Sequence, residues 1–186
     1  MIWQRKEPME NETQTTRIGL ARKLARNLLK KAGVKQPPTS LRTIITHLQK
    51  EHDLVVFPNA KLRDGMSGML VTVETDLLDD QGDRYDEIHY NEKQNWHRKR
   101  FTIAHEIGHL ILNTSCNESF LSFDFVKDPI ETEANQFAAE LLIPLASIKK
   151  DLKIPGTKVP DLAWKYIVSQ EAMGWKISSC SLLGRL

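Results

Sequence analysis

The sequence predicts an α+β fold, because helical and extended patterns occupy separate stretches of its 186 residues. Apolar residues recur with the helical period from Thr16 to Ala32, and Gly33 is suited to end that helix. Three short runs rich in β-branched and aromatic residues lie between residues 54 and 90 and predict a small antiparallel sheet. Helical patterns return from residue 96, so we expect the sheet between N-terminal helices and a helical second half.

Two amphipathic helices are predicted ahead of the sheet. The first has its apolar side chains on one arc and four cations on the opposite arc: Arg22, Lys23, Arg26 and Lys30. A cationic stripe of this kind is usually a solvated face, but it is also a candidate surface for docking an acidic partner or a DNA backbone. Pro37 and Pro38 then form a linker, and Ser40 is suited to cap the second helix.

The three predicted strands cover residues 54–57, 69–73 and 87–90. The stretch 76–86 is rich in aspartate, but its spacing does not fit the EF-hand pattern, so it predicts a solvated hairpin loop and not a calcium site. Gly68 precedes the second strand and permits close backbone approach. This strand is therefore a candidate edge to which an extended peptide could add.

The composition excludes several functional classes. The formal net charge is +2, with 27% charged and 40% hydrophobic residues, which is typical of a soluble globular protein and not of a dedicated nucleic-acid binder. No apolar run approaches the roughly 18 residues of a transmembrane helix, and residues 1–8 lack the apolar core of a signal peptide. Cys116 and Cys180 show no ligand spacing, so we expect two reduced thiols in a cytoplasmic protein.

One motif carries chemistry, the His105-Glu106-Ile107-Gly108-His109 run inside a helical pattern that stops at Asn113. In a helix, residues four apart lie on one face with Cβ atoms about 5–6 Å apart, so His105 and His109 can bind one tetrahedral Zn²⁺. Glu106 lies about 100° round the helix, where it can act as a general base on a zinc-bound water. The motif predicts a zinc hydrolase that holds a single metal ion.

A third zinc ligand is expected on the following helix, because a catalytic zinc usually has three protein ligands and one open position. Asp128 is suited to cap this helix, Pro129 to its first position and Pro144 to its end. A helical wheel places three polar residues on the side opposite its apolar arc and predicts that they are solvated: Glu133, Gln136 and Glu140.

Glu131 is the preferred third ligand, because it projects from the apolar arc of that helix. A carboxylate is costly to bury unless it is paired or binds a metal, which favours Glu131 over Glu133. Asn135 lies one turn later on the same side and is placed to hydrogen-bond one of the histidines. The alternative is that Glu131 only stabilises the helix N-terminus through the helix dipole.

The blocks Arg100–Leu110 and Glu131–Pro144 closely resemble the ImmA/IrrE metallopeptidase family of bacteria, phages and mobile elements, and weaker similarity extends over residues 15–177. The resemblance implies a gluzincin-like site with zinc bound by His105, His109 and Glu131 and catalysis by Glu106. It also implies a regulatory role, the cleavage of helix-turn-helix repressors. After Met173 the sequence departs from the family pattern, so the resemblance implies no function for that end.

We therefore expect a minimal zincin-like metallopeptidase domain over residues 15–145, after a flexible tail of residues 1–14. Residues 146–186 are expected to form a helical extension packed on this domain. One helix is predicted over 161–167, and Ser169 is suited to cap another. The second of these helices has few cations for reading a DNA groove, so packing is the preferred role.

The predicted function is that of a zinc-dependent endopeptidase that cleaves a helix-turn-helix repressor at a specific site. The alternative is a zinc-stabilised regulatory protein that binds a repressor or DNA without proteolysis. The cationic stripe of the first helix is a candidate surface for the protein partner. Four residues are candidates for stabilising an oxyanion, and the sequence does not choose among them: Tyr85, His89, Tyr90 and His97. The oligomeric state is not predicted.

Overall fold

The structure is a computed structural model that describes residues 16–59, 61–63, 65–74, 84–114 and 128–182. Its helices are α1 Ile18–Lys31, α2 Leu41–Leu48, α3 Trp96–Leu112, α4 Pro129–Leu142, α5 Leu145–Asp151, α6 Val159–Tyr166 and α7 Gln170–Ser179. Its strands are β1 Leu54–Pro58, β2 Gly68–Glu74 and β3 Arg84–Tyr90. The predicted α+β class is confirmed. The predicted tail, most of the aspartate-rich loop and Cys116 lie outside the described residues.

The helix boundaries agree with the capping residues that the sequence indicated. Asp128 accepts a hydrogen bond from the backbone N–H of Ile130, with Pro129 in the first turn of α4. Asn113 ends α3 in the left-handed region at φ 52°, which asparagine tolerates better than most residues. The other N-caps with a side-chain hydrogen bond are Ser40 for α2, Asn95 for α3 and Ser169 for α7.

The sheet is mixed, so the prediction of an antiparallel sheet is wrong for β1. The strand order is β1-β3-β2, with β2 antiparallel to β3 and β1 parallel to it. The central strand β3 pairs with β2 along one edge and with β1 along the other, and β1 runs in the same direction as β3. A strand pattern in sequence shows which residues are extended but not which neighbour they pair with. In the described part of the chain β2 is an edge strand, as predicted.

The main apolar core lies where α3 and α4 meet the inner face of the sheet and α1. Fully buried side chains from these elements include Ala25, Ile88, Ile107 and Phe137. The C-terminal helices add to the same cluster, which also contains Ile148, Tyr166, Met173 and Ile177. Because a cluster of this kind excludes water from one side of α3, polar side chains of α3 that face it need partners.

The polar side of α4 is buried, and the prediction that it is solvated is wrong. Glu133 is 1% exposed, Gln136 7% and Glu140 0%. The cause is α1, which packs on this side of α4 while α3 packs on the other. Burial by itself raises the pKa of Glu133, but hydrogen bonds from Arg17 outweigh this effect and lower that pKa.

Because α1 packs on the polar side of α4, two of the four cations in the stripe of α1 contact α4. Arg22 donates to Gln136 Oε1 from Nε at 2.9 Å and from Nη2 at 2.7 Å. Arg26 lies with Nη1 3.3 Å from Glu140 Oε1. Lys23 and Lys30 are exposed and have no such contact with α4 among the described residues. Half of the predicted partner surface therefore contacts α4 within this chain.

Candidate metal site

The site is formed where α3 and α4 pack closely. A helix places residues four apart on one face, and in α3 this brings His105 Nε2 within 3.0 Å of His109 Nε2. Both side chains are fully buried. The helices α3 and α4 can pack closely because Gly108 of α3 faces Ala134 of α4. A Cβ atom at Gly108 would be 3.2 Å from the Cα atom and from the carbonyl oxygen of Ala134. The sequence therefore brings the first turns of α4 against the two imidazoles.

Glu131 lies in that first turn of α4 and faces both histidines. Its Oε2 is 3.2 Å from His105 Nε2, and its Oε1 is 3.4 Å from His109 Nε2. These three residues form the one His/Cys/Asp/Glu group in the described part of the chain that could hold a metal ion. The helical wheel thus correctly placed Glu131 beside the histidines.

The separations of these ligand atoms fit a tetrahedral metal ion. Zinc–nitrogen and zinc–oxygen bonds are about 2.0–2.2 Å long, so two ligands at the tetrahedral angle lie about 3.3 Å apart. The observed separations in this site are 3.0, 3.2 and 3.4 Å. Two imidazoles and one carboxylate are also a donor set that zinc accepts in catalytic sites. The residues present therefore fit zinc, which would be held by His105, His109 and Glu131.

The protonation state of Glu131 favours metal binding. Burial by itself raises the pKa of Glu131, but hydrogen bonds and charge interactions with His105 and His109 outweigh that effect and lower the pKa to about 2. The carboxylate is consequently ionised at neutral pH, the form that a metal ligand requires.

Each histidine is oriented by a hydrogen bond on its other ring nitrogen. His105 Nδ1 is 3.0 Å from Asn135 Oδ1, which agrees with the prediction for Asn135. His109 Nδ1 is 3.0 Å from Thr114 Oγ1. An acceptor at Nδ1 favours the tautomer with the proton there, and this leaves Nε2 able to bind a metal. No pattern in the sequence indicated Thr114, which follows the left-handed cap of α3.

Glu106 is fully buried beside the start of β2. A Cβ atom at Gly68 would lie 3.3 Å from Glu106 Oε1 and 2.7 Å from the carbonyl oxygen of His89, and it would clash with Thr102. Glycine at this position therefore allows the edge strand to approach the helix that carries Glu106. The sequence predicted the close approach at Gly68 but not that Glu106 lies next to it.

The candidates for oxyanion stabilisation have different surroundings. His89 Nε2 is 2.7 Å from Glu87 Oε2 on the same strand. His97 is exposed at the start of α3 and lies eight positions before His105, which corresponds to about 12 Å along the helix axis. This distance makes His97 unsuitable as a donor at the metal site. Tyr85 and Tyr90 are part-buried on β3, and the geometry does not choose between them.

Comparison with known proteins agrees with this site. The fold and the donor set define a metallopeptidase-like domain in which one helix supplies two histidines and the next supplies a glutamate. The profile of the peptidase M78 family, described as the IrrE N-terminal-like domain, matches residues 68–178. The chain therefore belongs to this family, and the predicted ImmA/IrrE resemblance is confirmed. The matched residues include α3 and α4.

A solved structure shares the fold. It is described as a Mycobacterium tuberculosis transcriptional regulator, with a TM-score of 0.59 and 13% sequence identity. The match covers 86% of this chain and 46% of the regulator, so this chain spans less than half of that protein's length. No curated protein matches the sequence. In the part of the chain that the structure describes, no helix is both long and apolar enough to cross a membrane.

Proposed function

We propose that this protein is a zinc-dependent endopeptidase. The observation that carries the proposal is the packing of His105, His109 and Glu131 at separations that fit one tetrahedral zinc, next to the buried carboxylate of Glu106. Membership of a peptidase family supports the same reaction class.

The chemistry would be divided between the metal and Glu106. His105, His109 and Glu131 would hold a zinc ion whose Lewis acidity would polarise the scissile carbonyl and make the attacking water more acidic. Glu106 takes the proton of the attacking water as general base and then donates it to the leaving amine. Asn135 and Thr114 hold the two imidazoles in orientation through their Nδ1 atoms. Because the side chains of Glu106, His105 and His109 are fully buried, bulk water is kept away from the proton that Glu106 holds.

The proposed substrate is a helix-turn-helix repressor, cleaved at a specific site. The resemblance to the ImmA/IrrE family supports this class of substrate. Among the described strands β2 lies at an edge of the sheet and starts beside Glu106, so an extended segment of the substrate could pair with it and pass the site. A substrate region that can become extended, such as a linker between domains, is the kind of segment that this edge can accept.

The decisive variant is Glu106→Gln, because Glu106 does not belong to the metal-holding group. We expect unchanged zinc content and folding, with loss of cleavage when the purified protein is incubated with a co-encoded repressor and the fragments are identified by mass spectrometry. Glu171→Gln, an exposed glutamate on α7, is the matched control and should cleave normally. Full cleavage by Glu106→Gln would refute the proposal. Full regulatory activity in cells without cleavage would favour the alternative, a regulator that acts by binding.

We further propose that the exposed cations Lys23 and Lys30 contribute to partner docking. Reversing both charges should slow association with the repressor in a salt-dependent way and leave zinc content unchanged. Arg22 and Arg26 are kept in this variant, because their loss would also disturb the packing of α1 on α4. An association rate equal to that of the wild type at low salt would contradict a docking role for these two lysines.

A further inference from the structure

The residue before α1 is bonded to Glu133, which lies just after the first turn of α4. Arg17 donates to Glu133 from its backbone nitrogen at 2.6 Å to Oε1, from Nη2 at 2.8 Å to Oε2, and from Nε at 3.1 and 3.2 Å to the two oxygens. The Glu133 side chain is 1% exposed, whereas that of Arg17 is 45% exposed. Both carboxylate oxygens of Glu133 are thus engaged by one neighbouring residue.

This contact lies on the opposite side of α4 from the metal site. Glu131 and Glu133 are two residues apart, which corresponds to about 200° around a helix. The N-terminal end of α4 is therefore held on one side by Glu131, in the first turn, which faces the histidines of α3. On the other side it is held by Glu133, just after that turn, which faces Arg17. A rotation of α4 that moved Glu131 away from the histidines would also draw Glu133 away from Arg17.

The first turn of a helix needs such support, because its backbone N–H groups have no partners within the helix. Terminal turns consequently open more readily than the middle of a helix. The cap at Asp128 satisfies the N–H of Ile130 but does not determine which way the Glu131 side chain faces. The contact between Arg17 and Glu133 ties the residues just after this turn to the start of α1, which limits rotation of the turn itself.

We propose that Arg17 and Glu133 are positioning residues that hold Glu131 in place for zinc. This inference rests on the metal site of the proposed function. Neither residue belongs to the metal-holding group, and they act through the orientation of α4. Groups that hydrogen-bond a metal ligand directly typically change metal affinity by about 10–100-fold when they are lost. Arg17 and Glu133 act on Glu131 only through the helix, so we expect a loss at the lower limit of that range, about 10-fold.

The test compares Arg17→Ala with Arg22→Ala. Arg22 also donates two hydrogen bonds from α1 to α4, but its acceptor is Gln136, five residues beyond Glu131 and therefore more than one helical turn from it. Zinc affinity is measured by competition with a chelator, and the stability of the metal-free proteins is measured by urea unfolding. We expect Arg17→Ala to weaken zinc binding about 10-fold and Arg22→Ala to change it less than about 2-fold. The loss of stability should be larger for Arg17→Ala, because it removes the cation that pairs with the buried Glu133 carboxylate.

Two further measurements separate positioning from a general loss of stability. In the cobalt-substituted protein, Arg17→Ala should alter the visible absorption bands that report the coordination of the metal, and Arg22→Ala should leave them unchanged. Glu133→Gln retains an acceptor for Arg17 and should weaken zinc binding less than Arg17→Ala does. Equal zinc affinity in the wild type and Arg17→Ala would overturn the inference, as would parallel losses in the two arginine variants. Absence of zinc binding by the wild type would instead overturn the proposed metal site itself.

Discussion

Lys176 provides the sharpest test of how the C-terminal helices are held to the domain. Its side chain on α7 is fully buried, and its Nζ lies 2.7 Å from Oε2 of Glu140, which is fully buried on α4. The other oxygen of Glu140 accepts from the backbone N–H of Leu145 at 3.2 Å and lies 3.3 Å from Arg26 Nη1. The pair therefore joins α7 to α4 in a region that water does not reach.

Replacing Lys176 with Met preserves most of the side-chain length and removes the charge. Breaking a buried pair by removing one partner typically costs about 3–5 kcal/mol, because the remaining charge stays buried. Arg26 continues to contact the other oxygen of Glu140, so we expect a loss near the lower limit, about 3 kcal/mol. For a chain of this size, about 3 kcal/mol corresponds to a fall in Tm of roughly 6–12 °C.

The assay is urea unfolding together with calorimetry. Lys153→Met, at an exposed lysine, is the matched control and should change the free energy of unfolding by no more than about 0.5 kcal/mol. The double variant Lys176→Met with Glu140→Gln should be more stable than Lys176→Met alone, because it no longer buries the carboxylate charge. A loss below about 1 kcal/mol for Lys176→Met would refute the reasoning.

Three other predictions concern the metal site. Thr114→Val removes the hydroxyl bonded to His109 Nδ1 and should weaken zinc binding about 10-fold in a chelator competition. Gly68→Ala places a Cβ atom 2.7 Å from a backbone oxygen and 3.3 Å from Glu106, so urea unfolding should show a loss of about 1–3 kcal/mol. The pKa of Glu131 is lowered from 4.5 to about 2, so its contribution to stability is complete above pH 4.5 and is lost as the pH falls towards 2. In the metal-free protein, the stability difference from Glu131→Gln should shrink across that range, and a constant difference would contradict the lowered pKa.

The features that the sequence predicted correctly depend on local geometry. The approach of His105 to His109 follows from helical spacing, and Glu131 and Asn135 share a side of α4 because they are one turn apart. Helix limits follow from capping chemistry, in which a residue such as Asp128 satisfies nearby backbone groups. None of these features requires knowledge of which elements pack together.

The features that the sequence did not predict depend on contacts between distant segments. The parallel pairing of β1 with β3 joins segments about 30 residues apart, and no local pattern records the direction in which β1 runs beside β3. The hydrogen bond between Thr114 and His109 depends on the direction in which the chain leaves α3, and no residue pattern records it. Glu106 is placed next to Gly68 only when the sheet packs on α3.

The error in assigning the polar side of α4 shows what a single helical wheel omits. A stripe of polar residues indicates solvent only if no neighbouring helix carries a complementary stripe. Here Arg17, Arg22 and Arg26 on one side of the α1 segment meet Glu133, Gln136 and Glu140 on α4. The two stripes are both visible in the sequence and are opposite in character, so reading them together would have indicated that the helices pack against each other. Lys23 and Lys30 are exposed and have no counterpart in that pairing among the described residues, whereas Arg17 and Arg26 contact α4 although nearly half of each side chain is exposed.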